Sequence, residues 1–193
     1  RPADKERFSA LRAACDVVMA GAGTMRIEGY GPPRPNAATR AARAARGQSE
    51  APRVVTVSRA LELDPAAPLF AEAEAPPIVI TCAAAPAAQK EALASVAEVI
   101  EVGEGAVDLS AGMAALAERG IRTVCCEGGP HLNGALLAED LIDEWALTVS
   151  PLLVGAGPGR AIAGRAVADP AAYRMDWVLE GDGMLLTRWL RDR

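Results

Sequence analysis

The run Asp16-Val17-Val18-Met19-Ala20-Gly21-Ala22-Gly23-Thr24-Met25-Arg26 passes from an apolar stretch straight into a glycine turn. A short apolar run closed by glycine reads as a buried strand. Glycines at a strand-to-helix turn let backbone N–H groups approach an anion, and a helix N-terminus adds a favourable field. The common dinucleotide fingerprint requires a third glycine at position 26. Arg26 stands there instead, so an ordinary Rossmann reading fails at this motif. A plain tight turn explains Gly21 and Gly23 equally well.

Outward from this run, Val54–Val57, Ile78–Thr81, Val96–Val102 and Ile121–Cys126 read as further strands. A helix is expected over residues 3–15, with Phe8, Leu11 and Cys15 on one side. Others are expected at 86–94, 108–119 and 130–138. Asp108 suits an N-cap, Gly120 a C-terminal stop, and Pro130 the first helical position. Trp145–Val149, Tyr173–Leu179 and Met184–Leu190 read as strands, the last two joined by a turn through Glu180-Gly181-Asp182-Gly183. Glycines cluster between them, at 155, 157, 159 and 164. The pattern predicts an α/β fold with a mixed, mostly parallel sheet flanked by helices and a C-terminal antiparallel hairpin.

The chain of 193 residues is long enough for one domain, residues 1–193, with a full core. Its net charge of −5 disfavours nucleic-acid partners, and no apolar run is long enough for a membrane-spanning helix. Four cysteines without a Cys-x-x-Cys pair, together with a single histidine, give no metal site. Reduced thiols in a cytoplasmic setting fit this pattern. Residues 32–52 read as a long surface loop with a helical turn through 37–46. Its Arg34, Arg40, Arg43 and Arg46 could meet a phosphate or simply be solvated.

Two further places could carry chemistry. Glu127-Gly128-Gly129-Pro130-His131-Leu132-Asn133-Gly134 again joins a strand to a helix, and its glycines suit a pyrophosphate. Glu127 falls at the carboxyl end of a strand, where open α/β sheets place ligands. Ser58-Arg59 follows a strand and could hold a phosphate by charge-assisted hydrogen bonds, or form a surface turn. Together these point to a dinucleotide bound across the sheet.

Residues 16–24 with Glu28-Gly29-Tyr30-Gly31-Pro32 resemble the riboflavin-biosynthesis pyrimidine reductase family, the RibD C-terminal domain. So do residues 127–132 with Leu141-Ile142-Asp143-Glu144 and Ser150-Pro151-Leu152-Leu153-Val154-Gly155. The resemblance implies a dihydrofolate-reductase-like fold, NADPH as cofactor, and reduction of 5-amino-6-(5-phosphoribosylamino)uracil at C1′ of its opened sugar. It implies a cofactor site at Gly21, Gly23, Thr24, Ser58, Arg59, Thr81, Gly128, Gly129, Pro130, His131 and Leu132. Glu127 would be catalytic, polarising the sugar or relaying a proton. Arg26, Glu28, Tyr30 and Arg34 would face the substrate, Arg34 as a ligand for its 5-phosphate. The family's first strand, bearing a Ser-x-Asp-Gly-like motif, would precede residue 1. A homodimer is the family expectation, with Trp177 and Trp189 on strands able to pair sheet to sheet. The zinc deaminase signature that some members carry is absent from this sequence. A pterin reductase and a non-catalytic NADPH-binding protein are the alternative readings.

Overall fold

The computed structural model describes residues 1–155, 159–164, 167 and 169–193. Gly157, one of the clustered glycines, lies outside the described residues. The elements run α1 (Pro2–Ala14), β1 (Val17–Gly21), α2 (Ala22–Ile27), α3 (Ala37–Ala45), β2 (Arg53–Val57), α4 (Pro68–Ala71), β3 (Ile78–Thr81) and α5 (Ala87–Ala94). They continue with β4 (Glu98–Glu101), α6 (Leu109–Glu118), β5 (Val124–Cys126), α7 (Pro130–Ala138), β6 (Glu144–Val149), β7 (Tyr173–Gly181) and β8 (Met184–Arg191). Among the described residues, no helix is long and apolar enough to cross a membrane.

The strands separate into two ladders rather than one mixed sheet. A wholly parallel sheet has the order β4-β3-β2-β1-β5, and an antiparallel sheet has the order β6-β8-β7. Parallel strands are buried on both faces, which is why β1, β2 and β3 are apolar almost without alternation. Side chains nonetheless alternate between faces. Ala20, Val54 and Val79 pack with Met25, Leu61, Phe70 and Leu93 on one side. Val17, Met19, Val55, Ile78 and Ile80 pack with Leu116 on the other. Strands β4 and β5 are shorter than the apolar runs suggested. The short helices α2 and α4 lay below what periodicity can show.

The antiparallel hairpin turns at Asp182 and Gly183, both with positive φ (52° and 72°). This is the backbone a two-residue turn needs to match strand twist. The Glu180 carboxylate accepts a hydrogen bond from Gly183 N at 2.8 Å. Register places Leu147, Val149, Val178 and Leu185 on one face of this sheet, and Trp145, Trp189 and Met175 on the same face. Leu147, Val149, Met175, Val178 and Leu185 are all exposed.

Helix α1 has no buried residue and is held at its ends by polar contacts. At the N-terminal end, Ala3 N donates to the Asp182 carboxylate (2.8 Å), and Arg7 donates to the Leu147 (3.0 Å) and Thr187 carbonyls. At the other end the 32–52 segment closes over it. There the arginine run divides, with Arg34 and Arg46 exposed to solvent. Arg43 is fully buried, and Arg40 pairs with Glu74 and Glu50.

Helix α6 shows the sequence-coded start most clearly. The Asp108 carboxylate accepts from Ala111 N at 2.8 Å. Replacing Asp108 by Ala should therefore lower stability by about 1 kcal/mol in a denaturant titration, the ordinary worth of an N-cap.

Candidate active site

Strands β1 and β5 lie side by side, β5 at the edge of the parallel sheet, so the two glycine turns that follow them meet. Gly21 N donates to Gly128 O at 2.7 Å, and Glu127 N donates to Met19 O at 2.8 Å. Helices α2 and α7 begin here, with Gly21 and Gly129 as N-caps and no side-chain acceptor at either. The first-turn N–H groups of a helix have no intrahelical partner, and an anion satisfies them well. Two glycines of this cradle resist a side chain. A Cβ on Gly129 would fall 2.6 Å from Thr24 Oγ1, and Gly128 has φ +84°. The cradle brings together Gly21, Gly23, Thr24, Gly128, Gly129 and Pro130.

Beside it opens a cleft of about 510 Å³ lined by Phe8, Arg12, Thr24, Glu28, Gly29, Tyr30, Gly31 and Glu127. Thr24 belongs to both cradle and cleft. The Glu127 side chain is only 6% exposed and sits in an ion pair. Arg12 grips it with both arms of its fork, Nε to Oε1 at 2.5 Å and Nη2 to Oε2 at 2.6 Å. The Tyr30 hydroxyl donates to Oε2 at 2.5 Å. The Arg12 guanidinium lies near two rings, 4.3 Å from the Phe8 centroid and 5.6 Å from that of Tyr30.

The electrostatics follow from this packing. The hydrogen bond to Glu127 raises the Arg12 pKa above its ordinary value, outweighing the effect of burial. Burial, then the hydrogen bond to Glu127, pushes the Tyr30 phenol up as well. Arg12 therefore stays a cation and Tyr30 a neutral donor across the working pH range.

The other residues singled out from sequence divide. Glu28 lines the cleft beside Tyr30. Arg26 does not, because it turns to the Glu62 carbonyl (2.8 Å) and carboxylate (3.0 Å). Arg34 is likewise outside the cleft, exposed and paired with Glu72 at 2.5 Å. Thr81 is fully buried in β3, which leaves it no surface for a cofactor. Ser58 is buried too, its Oγ accepting from Leu61 N at 2.9 Å, while Arg59 beside it is exposed. His131 is exposed on α7, and Leu132 packs partly against the core. All four cysteines are free thiols, and no group of metal ligands occurs among the described residues.

Sequence reasoning missed Phe8 and Arg12. Their i, i+4 spacing puts them on one helix face. Nothing in chain order, however, shows that this face meets a glutamate 115 positions away.

A parallel sheet with glycine turns and helix N-termini meeting at the carboxyl ends of its strands is the architecture of nucleotide-binding α/β proteins. The chain belongs to the RibD C-terminal domain family, whose model matches residues 1–176. It is 32% identical over 145 residues to a 2,5-diamino-6-ribosylamino-4(3H)-pyrimidinone 5′-phosphate reductase of Archaeoglobus fulgidus, covering 75% of this chain and 66% of that one. It is 30% identical to the reductase of the same name from Methanothermobacter thermautotrophicus, covering 82% and 70%. The matches thus span about two thirds of the length of these curated relatives. Among solved structures, a pyrimidine reductase-like protein of Corynebacterium diphtheriae superposes with a TM-score of 0.86 at 23% identity, over 98% of this chain and 81% of that one. RibD of Acinetobacter baumannii gives 0.77 at 21% identity, over 100% and 51%. Both share the fold.

The Tyr30 shift gives a signed expectation. A phenol whose folded pKa is raised contributes stability below its ordinary value near 10, and that stability is lost as pH rises through the folded pKa. Wild-type stability minus that of Tyr30→Phe should be constant at neutral pH and shrink above about pH 10, measured by urea unfolding. A difference that grows with pH would contradict the arrangement.

Proposed function

We propose that this chain is an NADPH-dependent reductase of a ribosylaminopyrimidine 5′-phosphate. The observation that carries this reading is the Arg12–Glu127–Tyr30 cluster standing beside a glycine cradle, in a chain whose curated relatives bear that reductase name. The cradle suits a dinucleotide. Its N–H groups lack side-chain acceptors, and a Cβ at Gly129 would crowd Thr24. Gly21, Gly23, Thr24, Gly128 and Gly129 would hold the pyrophosphate, with Arg59 exposed for a 2′-phosphate. NADPH would supply the hydride that reduces C1′ of the opened sugar.

The chain's own residues would position the substrate and answer its charge. A carboxylate offers roughly four acceptor positions. Arg12 and Tyr30 fill three of those on Glu127, leaving one on Oε1 for a substrate N–H or hydroxyl. This suits Glu127 to stabilise positive charge on the reacting imine, and suits it less well to relay a proton. Arg12 Nη1 makes no hydrogen bond among the described residues, so Arg12 takes the phosphate-binding role first assigned to Arg34. The names of the curated relatives favour the diaminopyrimidinone form of the substrate over the aminouracil.

The exposed apolar face of the β6-β8-β7 sheet supports a homodimer. Leu147, Val149, Met175, Val178 and Leu185 form a patch larger than a scatter of single apolar residues. Strands β5 and β6 each have one paired edge.

The deciding assay follows NADPH oxidation with both pyrimidine forms, using a chain that includes any residues preceding Arg1. The diaminopyrimidinone phosphate should be turned over with the higher kcat/KM. Absence of turnover with either, or faster turnover of dihydrofolate, would sink the reading. Glu127→Gln should lower kcat by about 10²–10³, the usual cost of losing one preorganised electrostatic contact, and leave NADPH affinity unchanged. For the dimer, light scattering should give twice the chain mass, and Leu147→Asp with Val178→Asp should halve it.

A further inference from the structure

Arg43 is the one fully buried charged side chain among the described residues, and it faces no carboxylate at hydrogen-bond distance. Its Nη1 donates to the carbonyls of Arg12 (3.4 Å), Ala13 (3.0 Å) and Cys15 (2.6 Å), and its Nε donates to Ser49 O (2.8 Å). Nη2 has no partner. Two neighbours complete the same cap. Arg46 donates to Ala13 O at 2.7 Å, and Gln48 donates to Ala14 O at 3.0 Å.

Apart from Ser49 O, every one of those carbonyls belongs to the last turn of α1 or the residue after it. The final carbonyls of a helix lack intrahelical partners, and a cation there also suits the helix field. A buried guanidinium normally requires a counter-charge. Here the end of a helix supplies it. Helix α1 needs such an anchor because it buries no residue of its own. It is also the element that carries Phe8 and Arg12 into the cleft, whereas the glycine cradle is built from α2 and α7.

We propose that Arg43 is a positioning residue for the substrate half of the site, acting through α1 to hold Phe8 and Arg12 against Glu127. The 32–52 segment is then a brace for the active site. The kinetic consequence rests on the reductase reading, and the structural one does not.

The test replaces Arg43 by Met and by Lys in the full chain. In Arg43→Met, amide exchange in residues 8–14 should speed by about tenfold or more, with that of α6 unchanged. The NADPH Kd, read by cofactor fluorescence, should stay within about twofold while KM for the ribosylaminopyrimidine phosphate rises by about tenfold. Arg43→Lys should recover a large part of both losses, because an ammonium still donates to the carbonyls. Unchanged exchange in α1 would overturn the proposal. So would equal weakening of cofactor and substrate in a folded variant, since a general structural role predicts that pattern.

If Arg43→Met does not fold, Arg43→Gln, which loses the charge and most of the donors, is set against a double variant, Arg46→Ala with Gln48→Ala. Faster α1 exchange in the double variant than in Arg43→Gln would remove Arg43 from its assigned role, and the reverse order supports it. A wild-type chain that binds NADPH but turns over no pyrimidine would defeat the reductase reading alone, because exchange and cofactor affinity still decide the clamp.

Discussion

A guanidinium fork closed on a nearly buried carboxylate ties the first helix to the end of β5, an edge strand of the parallel sheet. Arg12 and Glu127 are far apart in the chain, and their two hydrogen bonds fix where α1 ends relative to β5. Removing either partner would leave a charge facing a low-dielectric cleft, whereas the pair itself adds little net stability. Its effect is one of placement. It sets the angle at which Glu127 meets the cleft, and it brings Phe8 and Tyr30 within reach of one cation.

The constraint reaches further because α1 has no apolar anchor. A typical helix on an α/β sheet is held by a buried stripe. This one is held by Asp182, Arg7 and the buried Arg43 cap. A cation at a partly buried helix terminus is worth up to about 2 kcal/mol, comparable to one well-buried aliphatic side chain. Polar ties are directional, and so they specify position more narrowly than apolar packing does. That suits an element whose task is to present two side chains to a ligand.

The cofactor half of the site rests on different physics. There the backbone acts, and at Gly128 and Gly129 a side chain is disfavoured. Gly128 takes a left-handed φ, and Gly129 lies where a Cβ would meet Thr24. The two halves therefore answer differently to substitution. The cradle is sensitive to added atoms, and the cleft is sensitive to lost charge and lost hydrogen bonds.

Much of this was legible in the chain itself. The apolar runs of β1, β2 and β3, the Asp108 cap and the Asp182-Gly183 turn are local, because each depends on residues within one turn or one strand of each other. The glycine junctions at 21–24 and 127–130 were legible for the same reason, and the fold brings the two together. What sequence reading could not place depended on partners distant in the chain. Arg34 turned to Glu72, Arg26 to Glu62, and Thr81 into the core. Arg43 looked like one more solvated charge until α3 placed it under α1. Local propensity and periodicity therefore determine which elements form and where they turn. Tertiary packing decides which charge meets which, because an arginine's long side chain can choose among many carboxylates and carbonyls, and only the folded backbone ranks them by distance.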